Sequence, residues 1–189
     1  MQNCQLPYFN TSVLSGLTAL QNLTLEDANI QSIIFSSNLS NLQTLILKRN
    51  TIKTLDSSIS LLKGLKSLDL SKNLLLKSTS DMFMGLDNLE SLDLSQCMSL
   101  VEIQMKIFNG LYNLLELNIS YCKLNQIHSE AFSHTPKLTK LKLSDNKLKL
   151  ENSSVFGYLT QLKELDLSYN QIQYSSIEQG LFSNLLSLE

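Results

Sequence analysis

An eleven-residue phrase recurs along the whole chain and limits what it can fold into more than any other feature. Its clearest copy runs from Leu162 to Ile172, LKELDLSYNQI, and its grammar is L-x-x-L-x-L-x-x-N-x-L. Aligned on the first leucine, full copies begin at Leu20, Leu42, Leu65, Leu89, Leu114, Leu138 and Leu162. A further copy opens at Leu185, and residues 1–19 hold the tail of an earlier one. Successive starts are 22, 23, 24, 25, 24, 24 and 23 residues apart. A period of this size marks a solenoid, in which each unit buries its apolar face only against its neighbours.

The alternation at the fourth and sixth places, as in Leu68/Leu70 and Leu141/Leu143, has the period of a short strand with one buried face. Seven such faces are most simply buried by stacking the strands side by side as a parallel sheet. The ninth place holds Asn50, Asn73, Asn146 and Asn170. An inward Asn there is expected to bond the loop backbone of its own and the next turn, sparing amides that cost about 1–3 kcal/mol each when buried unpaired. Ala28 stands in that place in the first full copy. Cys97 and Cys122 fall on it too, and so does Cys4 when the pattern is carried back one turn. Three thiols in one structural slot read as small buried substitutes for Asn, not as a disulfide or metal site, and no C-x-x-C spacing argues otherwise.

The returning half of the repeat carries Phe83, Phe108, Phe132, Phe156 and Phe182, each 18 to 20 residues after its first leucine. They are expected to stack as an outer seam of the core. The repeats from Leu20 and Leu42 lack this aromatic and are expected to use Leu39 and Leu61 or Leu62. In residues 1–19 the inward positions are expected to be Leu6, Phe9, Leu14 and Leu17. One extra residue follows Cys97, which makes the repeat from Leu89 the longest.

The phrase, with a period near 24 and the x-x-x-F-x-x-L return, resembles the leucine-rich repeat proteins of the typical animal extracellular class. Toll-like receptors, slit-type guidance proteins and small matrix proteoglycans belong to that class. The resemblance implies an α/β solenoid: an arc, or horseshoe segment, with a concave parallel β-sheet and an irregular or short helical convex side. It covers nearly the whole chain, residues 1–189, as one array without caps. With Met1 at the sixth place of a partial repeat and Glu189 just inside the next, the chain is expected to be a piece from the middle of a larger array.

Among proteins of this class the irregular repeat lengths resemble a Toll-like receptor ectodomain. That resemblance implies a binding module of a cell-surface receptor in innate immunity, outside the cell. It would meet a protein or microbial ligand on its concave or lateral face and signal by bringing two ectodomains together, sometimes with a small lipid-binding accessory protein. Two rivals stand beside it: a secreted matrix, adhesion or guidance protein, and a cytoplasmic repeat scaffold.

Composition narrows the field further. Hydrophobic residues make up 43% of the chain and charged residues 17%, ample for a core, and the net charge of −2 argues against general nucleic-acid affinity. No apolar run approaches the length of a membrane span. His128 and His134 are the only histidines, and no phosphate loop or nucleophile triad is present, so neither enzyme chemistry nor a cofactor nor a metal is expected.

Residues where the phrase departs from its usual L-D-L-S wording are candidates for ligand contact: Arg49, Lys72, Tyr121, Lys142 and Tyr169, all placed on the outward side of the strand ladder. Five N-x-S/T sequons, at Asn10, Asn22, Asn38, Asn118 and Asn152, are candidates for N-glycosylation in a secreted chain. Asn118 lies mid-strand between Leu117 and Ile119, so a glycan there would obstruct the inner face.

Overall fold

The computed structural model describes residues 5–75, 82–150, 154–173 and 180–189. Its strands are short: β1 (Tyr8–Asn10), β2 (Asn22–Thr24), β3 (Ser32–Ile34), β4 (Thr44–Ile46), β5 (Ser67–Asp69), β6 (Ser91–Asp93), β7 (Glu102–Ile103), β8 (Glu116–Asn118), β9 (Gln126–Ile127), β10 (Lys140–Lys142) and β11 (Glu164–Asp166). Seven of them, β2, β4, β5, β6, β8, β10 and β11, form one parallel sheet in chain order. Their register matches fourth-place leucine to fourth-place leucine, Leu23 to Leu45 to Leu68 and on to Leu165. The sixth-place residue donates its amide to the next turn, for example Leu47 N to Asp69 O at 2.8 Å and Ile119 N to Lys142 O at 2.9 Å. Each turn is thus one coil of a leucine-lined solenoid, as the repeat predicts.

The convex side is mostly turns, with 3-10 segments at Thr11–Leu14, Ser37–Leu39 and Ser57–Leu61. It also holds two small parallel pairs that the sequence did not announce, β1 with β3 and β7 with β9. They arise where the return half alternates for a few residues, burying Ile33 and Phe35 in one turn and Ile103 and Ile127 in others. Phe35 therefore supplies an aromatic to the repeat from Leu20, although it stands too early to join the phenylalanine column.

That column is continuous. Phe83, Phe108, Phe132, Phe156 and Phe182 stack with ring centroids 5.8–6.5 Å apart and planes within 20° of parallel. The first four are fully buried, and Phe182 is partly exposed because no following ring covers it. Where Thr135 replaces the usual leucine three residues on, its hydroxyl donates to Phe132 O at 3.0 Å, so a buried polar group is satisfied inside the seam. At Gly85, with φ of +86°, an added Cβ would lie 2.8 Å from Ser60 Cβ, so this position fixes how closely the turns can approach.

One inward assignment is corrected, and one pair of alternatives is resolved. Leu17 is half exposed because no earlier turn among the described residues lies over it, although Leu39 and Leu62 in the same place are buried. Of the alternatives Leu61 and Leu62, Leu62 is the buried one, since the 3-10 segment turns Ile59 and Leu62 inward and leaves Leu61 exposed.

The ninth-place ladder is present, with its direction reversed from expectation: each Asn reaches its own and the preceding turn. Asn146 Nδ2 donates to Ile119 O (2.8 Å), Leu143 O (3.0 Å) and Ser144 O (3.2 Å), while its Oδ1 accepts from Cys122 N (3.0 Å) and Leu124 N (2.9 Å). Asn50 serves Leu25 O, Ala28 N and Ile30 N in the same way, so the rung at Ala28 still finds its partner. The reason lies in the parallel sheet: after each strand, the loop amides and the sixth-place carbonyl face onward, toward the following rung.

Cys97 and Cys122 are fully buried, unpaired thiols on this ladder; Cys4 lies outside the described residues. Cys97 Sγ donates to Leu70 O at 3.4 Å and Cys122 Sγ to Leu94 O at 3.1 Å, copying the donor half of an Asn rung. Burial pushes the Cys97 thiol up to about 11 and the Cys122 thiol up to about 12. With the folded pKa raised, their contribution to stability is complete below the unfolded thiol value of about 8.5 and is lost as pH rises toward 11–12. Iodoacetamide at pH 8 is therefore expected to label neither thiol in the native protein and both in denaturant, as read by peptide mass. Native labelling at the rate of a free thiol would place the rungs outside the core.

A second row of asparagines stitches the return side. Asn41, Asn88, Asn113 and Asn184 donate through Nδ2 to Thr18 O, Lys63 O, Asp87 O and Gly157 O of the preceding turn, at 2.7–3.1 Å. The sequence signal for it is the N-L pair that ends the return half, as in Asn88-Leu89 and Asn113-Leu114.

Candidate functional site

The accessible inner surface is built from the third, fifth, seventh and eighth places of the phrase. At the fifth place the carboxylates cap the strand ends. Asp69 Oδ1 accepts from Ser71 N (2.8 Å), Asp93 from Ser95 N (2.7 Å) and Asp166 from Ser168 N (3.0 Å). Asn118 does the same for Ser120 N (3.1 Å). The recurrent D-x-S wording is thus a turn device, in which an Asp side chain bonds the amide two residues on. The Ser168 hydroxyl, 2.6 Å from Asp166 Oδ1, holds that carboxyl below its ordinary value.

The eighth place is left-handed in every full turn. Asp27, Arg49, Lys72, Gln96, Tyr121, Asp145 and Tyr169 all have φ between 55° and 60°. This corrects the placement of four candidates. Arg49, Lys72, Tyr121 and Tyr169 lie three residues past the ends of their strands, on the rim where the chain turns outward, and only Lys142 stands on a strand, β10. A non-glycine residue in this region has a conformational cost, and it aligns these side chains in one row along the arc.

The row has internal structure. The Asp145 carboxylate of the next turn raises the pKa of the Tyr121 hydroxyl, and Tyr169 follows one turn later, 81% exposed. Asp145 is the member that sequence reasoning missed. It shares the phase of the two tyrosines, and that phase was the available signal. At the other end Arg49 pairs with Glu26 at 3.1 Å. On the strands, Lys140 pairs with Glu164, which raises its pKa, and Lys142 lies close enough to Asp166 to help hold that carboxyl low. Carboxylates at Glu26, Asp27, Asp69, Asp93, Glu116, Asp145, Glu164 and Asp166 outnumber the cations Lys48, Arg49, Lys72, Lys140 and Lys142, so the inner face and rim carry net negative charge.

A shallow depression of about 130 Å³ lies among Ser91, Asp93, Glu116, Asn118, Lys140 and Lys142. A larger one of about 580 Å³, lined by Gln126, Lys147, Lys149, Leu150 and Val155 among others, contains none of the candidate residues. Among the described residues no group of three or more His, Cys, Asp or Glu is placed to hold a metal. His128 accepts the Glu130 amide at Nδ1, and His134 packs edge-on against Tyr112, so both are engaged locally.

The sequons differ in setting. Asn10 ends β1 and Asn38 sits in the 3-10 segment Ser37–Leu39, both exposed on the convex side. Asn22 lies exposed on β2 of the inner sheet. Asn118, on β8, is partly buried and its Nδ2 donates to Asp93 Oδ2 at 3.1 Å. Asn152 lies outside the described residues.

The repeated turn, its Asn ladder and its phenylalanine seam define a leucine-rich repeat solenoid, and the chain belongs to the leucine rich repeat family. That family's models match residues 40–98 and 96–148, and a further leucine rich repeat model matches residues 158–178. Among solved structures the chain is similar to TLR13 in its complex with ssRNA13, at 30% identity and a TM-score of 0.89 over 98% of this chain and 27% of that one. It is also similar to a chain of the Toll–Spatzle complex of Drosophila, at 31% identity and a TM-score of 0.72 over 86% of this chain and 23% of that one. The glycosylated form of that complex, at 22% identity and a TM-score of 0.67 over 96% of this chain and 33% of that one, shares the fold. The chain spans between about a quarter and a third of the length of these chains. No curated protein matches it significantly. No helix among the described residues is long and apolar enough to cross a membrane.

Proposed function

We propose that this chain is a ligand-binding segment of the extracellular region of a cell-surface receptor of the Toll-like kind, acting in innate immunity through contact with a protein ligand and not through catalysis. The observation that carries the reading is the left-handed rim, where Arg49, Lys72, Tyr121, Asp145 and Tyr169 project in one row along an arc long enough for a standard interface. Exposed Tyr and Arg on a rigid repeat scaffold are the residue types that dominate contact energies. The likeness to Toll-family chains solved with their ligands supports the same reading.

A second reading, single-stranded RNA as ligand, is favoured by the TLR13 complex. The excess of carboxylates on the inner face and rim opposes it, because nucleic-acid affinity is largely phosphate neutralisation by Lys and Arg. The two readings separate experimentally. The secreted chain and its Arg49→Ala/Tyr121→Ala/Tyr169→Ala variant are cross-linked to proteins of extracellular fluid and compared quantitatively by mass spectrometry. A labelled 13-nucleotide RNA is titrated in parallel. Loss of about tenfold or more of a captured protein in the variant supports the rim, since one hot-spot residue contributes about 2 kcal/mol or more. Equal capture by both chains removes the rim as the contact, and RNA binding at micromolar strength or better selects the second reading.

A further inference from the structure

Tyr8 is 77% exposed and Ile34 48% exposed on the convex side, and neither packs on the core. Both flank a sequon. β1 reads Tyr8-Phe9-Asn10 with only Phe9 buried, so Tyr8 and Asn10 project from the same outer face about 6.6 Å apart along the strand. In the β1–β3 register Asn10 lies opposite Ile34, and adjacent strands are about 4.8 Å apart. Asn10 Oδ1 accepts from Ser12 N at 2.9 Å, which fixes the side chain at the head of the 3-10 segment. Its Nδ2 makes no hydrogen bond among the described residues. The other sequons among the described residues lack this setting. Two residues before Asn22 stands Leu20, and two before Asn38 stands Ser36, while Nδ2 of Asn118 is already committed to Asp93.

We propose that Asn10 carries an N-linked glycan whose first N-acetylglucosamine packs on the Tyr8 ring and the Ile34 side chain, clamping the β1–β3 pair. The inference rests on the extracellular reading given above. In the attachment step, Asn10 Nδ2 bonds to the anomeric carbon of a lipid-diphosphate-linked oligosaccharide. The bond from that carbon to the diphosphate oxygen breaks, the diphosphate leaves with the bonding pair, and one Nδ2 proton is lost. The sugar ring presents a face of C–H bonds, which suits an aromatic face, while its hydroxyls remain in water. It would cover two apolar side chains that otherwise lie in water, and a two-stranded pair that has little stability of its own.

The test uses the 189-residue chain, passed through a eukaryotic secretory pathway, as wild type, Tyr8→Ala, Ser12→Ala and the double variant. Ser12→Ala destroys the sequon but keeps the Asn10 cap, because the bond is to the Ser12 backbone amide. Peptide mapping is expected to find Asn10 occupied in the wild type. Either single change is expected to lower the Tm by about 2–4 °C, the shift of about 1 kcal/mol in a chain of this size. Tyr8→Ala is expected to do nothing further once Ser12→Ala is present, and trimming to a single N-acetylglucosamine is expected to keep the effect. An empty Asn10, or shifts that simply add in the double variant, overturns the proposal. Failure of the extracellular reading has a different signature: the protein in its own cells would be insensitive to glycosidase, while the secreted chain would still show the coupled pair and support the contact.

Discussion

Phe108→Ala is expected to destabilise the chain by about 3–5 kcal/mol, among the largest effects of any single change. Phe108 is fully buried and lies between Phe83 at 6.4 Å and Phe132 at 5.8 Å, so truncation opens a cavity in the middle of a column and removes two ring contacts. A solenoid transmits this loss only to neighbouring turns, because each turn contacts only the next. Urea unfolding followed by circular dichroism should therefore show a lower midpoint or a split transition, with the turns from Leu20 to Leu65 the last to be affected. Phe182→Ala, at the partly exposed end of the same column, should cost distinctly less. Equal costs at the two positions would mean that burial within the column does not set the cost.

Asn146→Ala should cost about 3–5 kcal/mol, for a different reason. Nothing large is removed, but two buried amides, Cys122 N and Leu124 N, lose their acceptor, and the carbonyls of Ile119 and Leu143 lose a donor. A buried unpaired group costs about 1–3 kcal/mol, and several are created at once. Asn146→Cys should be milder, because a thiol can still donate to the preceding carbonyl as Cys122 does to Leu94. Asn146→Asp should be severe, since a carboxylate cannot donate to carbonyls that face it. The order Cys, then Ala, then Asp in denaturant midpoints is the measurement. Any order in which Asp is mildest would show that the rung does not act through donation.

Much of the architecture was legible from residue order. The phrase placed the leucines of every turn, the Asn rungs and the phenylalanine column, because a repeat repeats its burial and one correct assignment serves seven times. Legibility failed where a residue's neighbour in space was not its neighbour in phrase. The sequence assigned Arg49, Lys72, Tyr121 and Tyr169 to the strand face; the strands end at the fifth place, and the left-handed turn at the eighth moves these residues to the rim. Asp145 went unnoticed because its role comes from Tyr121, a whole turn away. Leu17 is exposed, and Leu62 faces inward where Leu61 does not, for a related reason: facing inward depends on what covers a position and on how a 3-10 segment rotates it.

Residue order by itself determined that this chain coils, which side chains line the coil and that its polar rungs face inward, because periodic burial of leucine has few solutions. Only the tertiary structure decided which turn each Asn serves, which exposed side chains share a rim, and which sequon stands beside an uncovered tyrosine. Those relations are set by the roughly 4.8 Å step between turns and by the left-handed bend after each strand. Both bring together residues more than twenty positions apart.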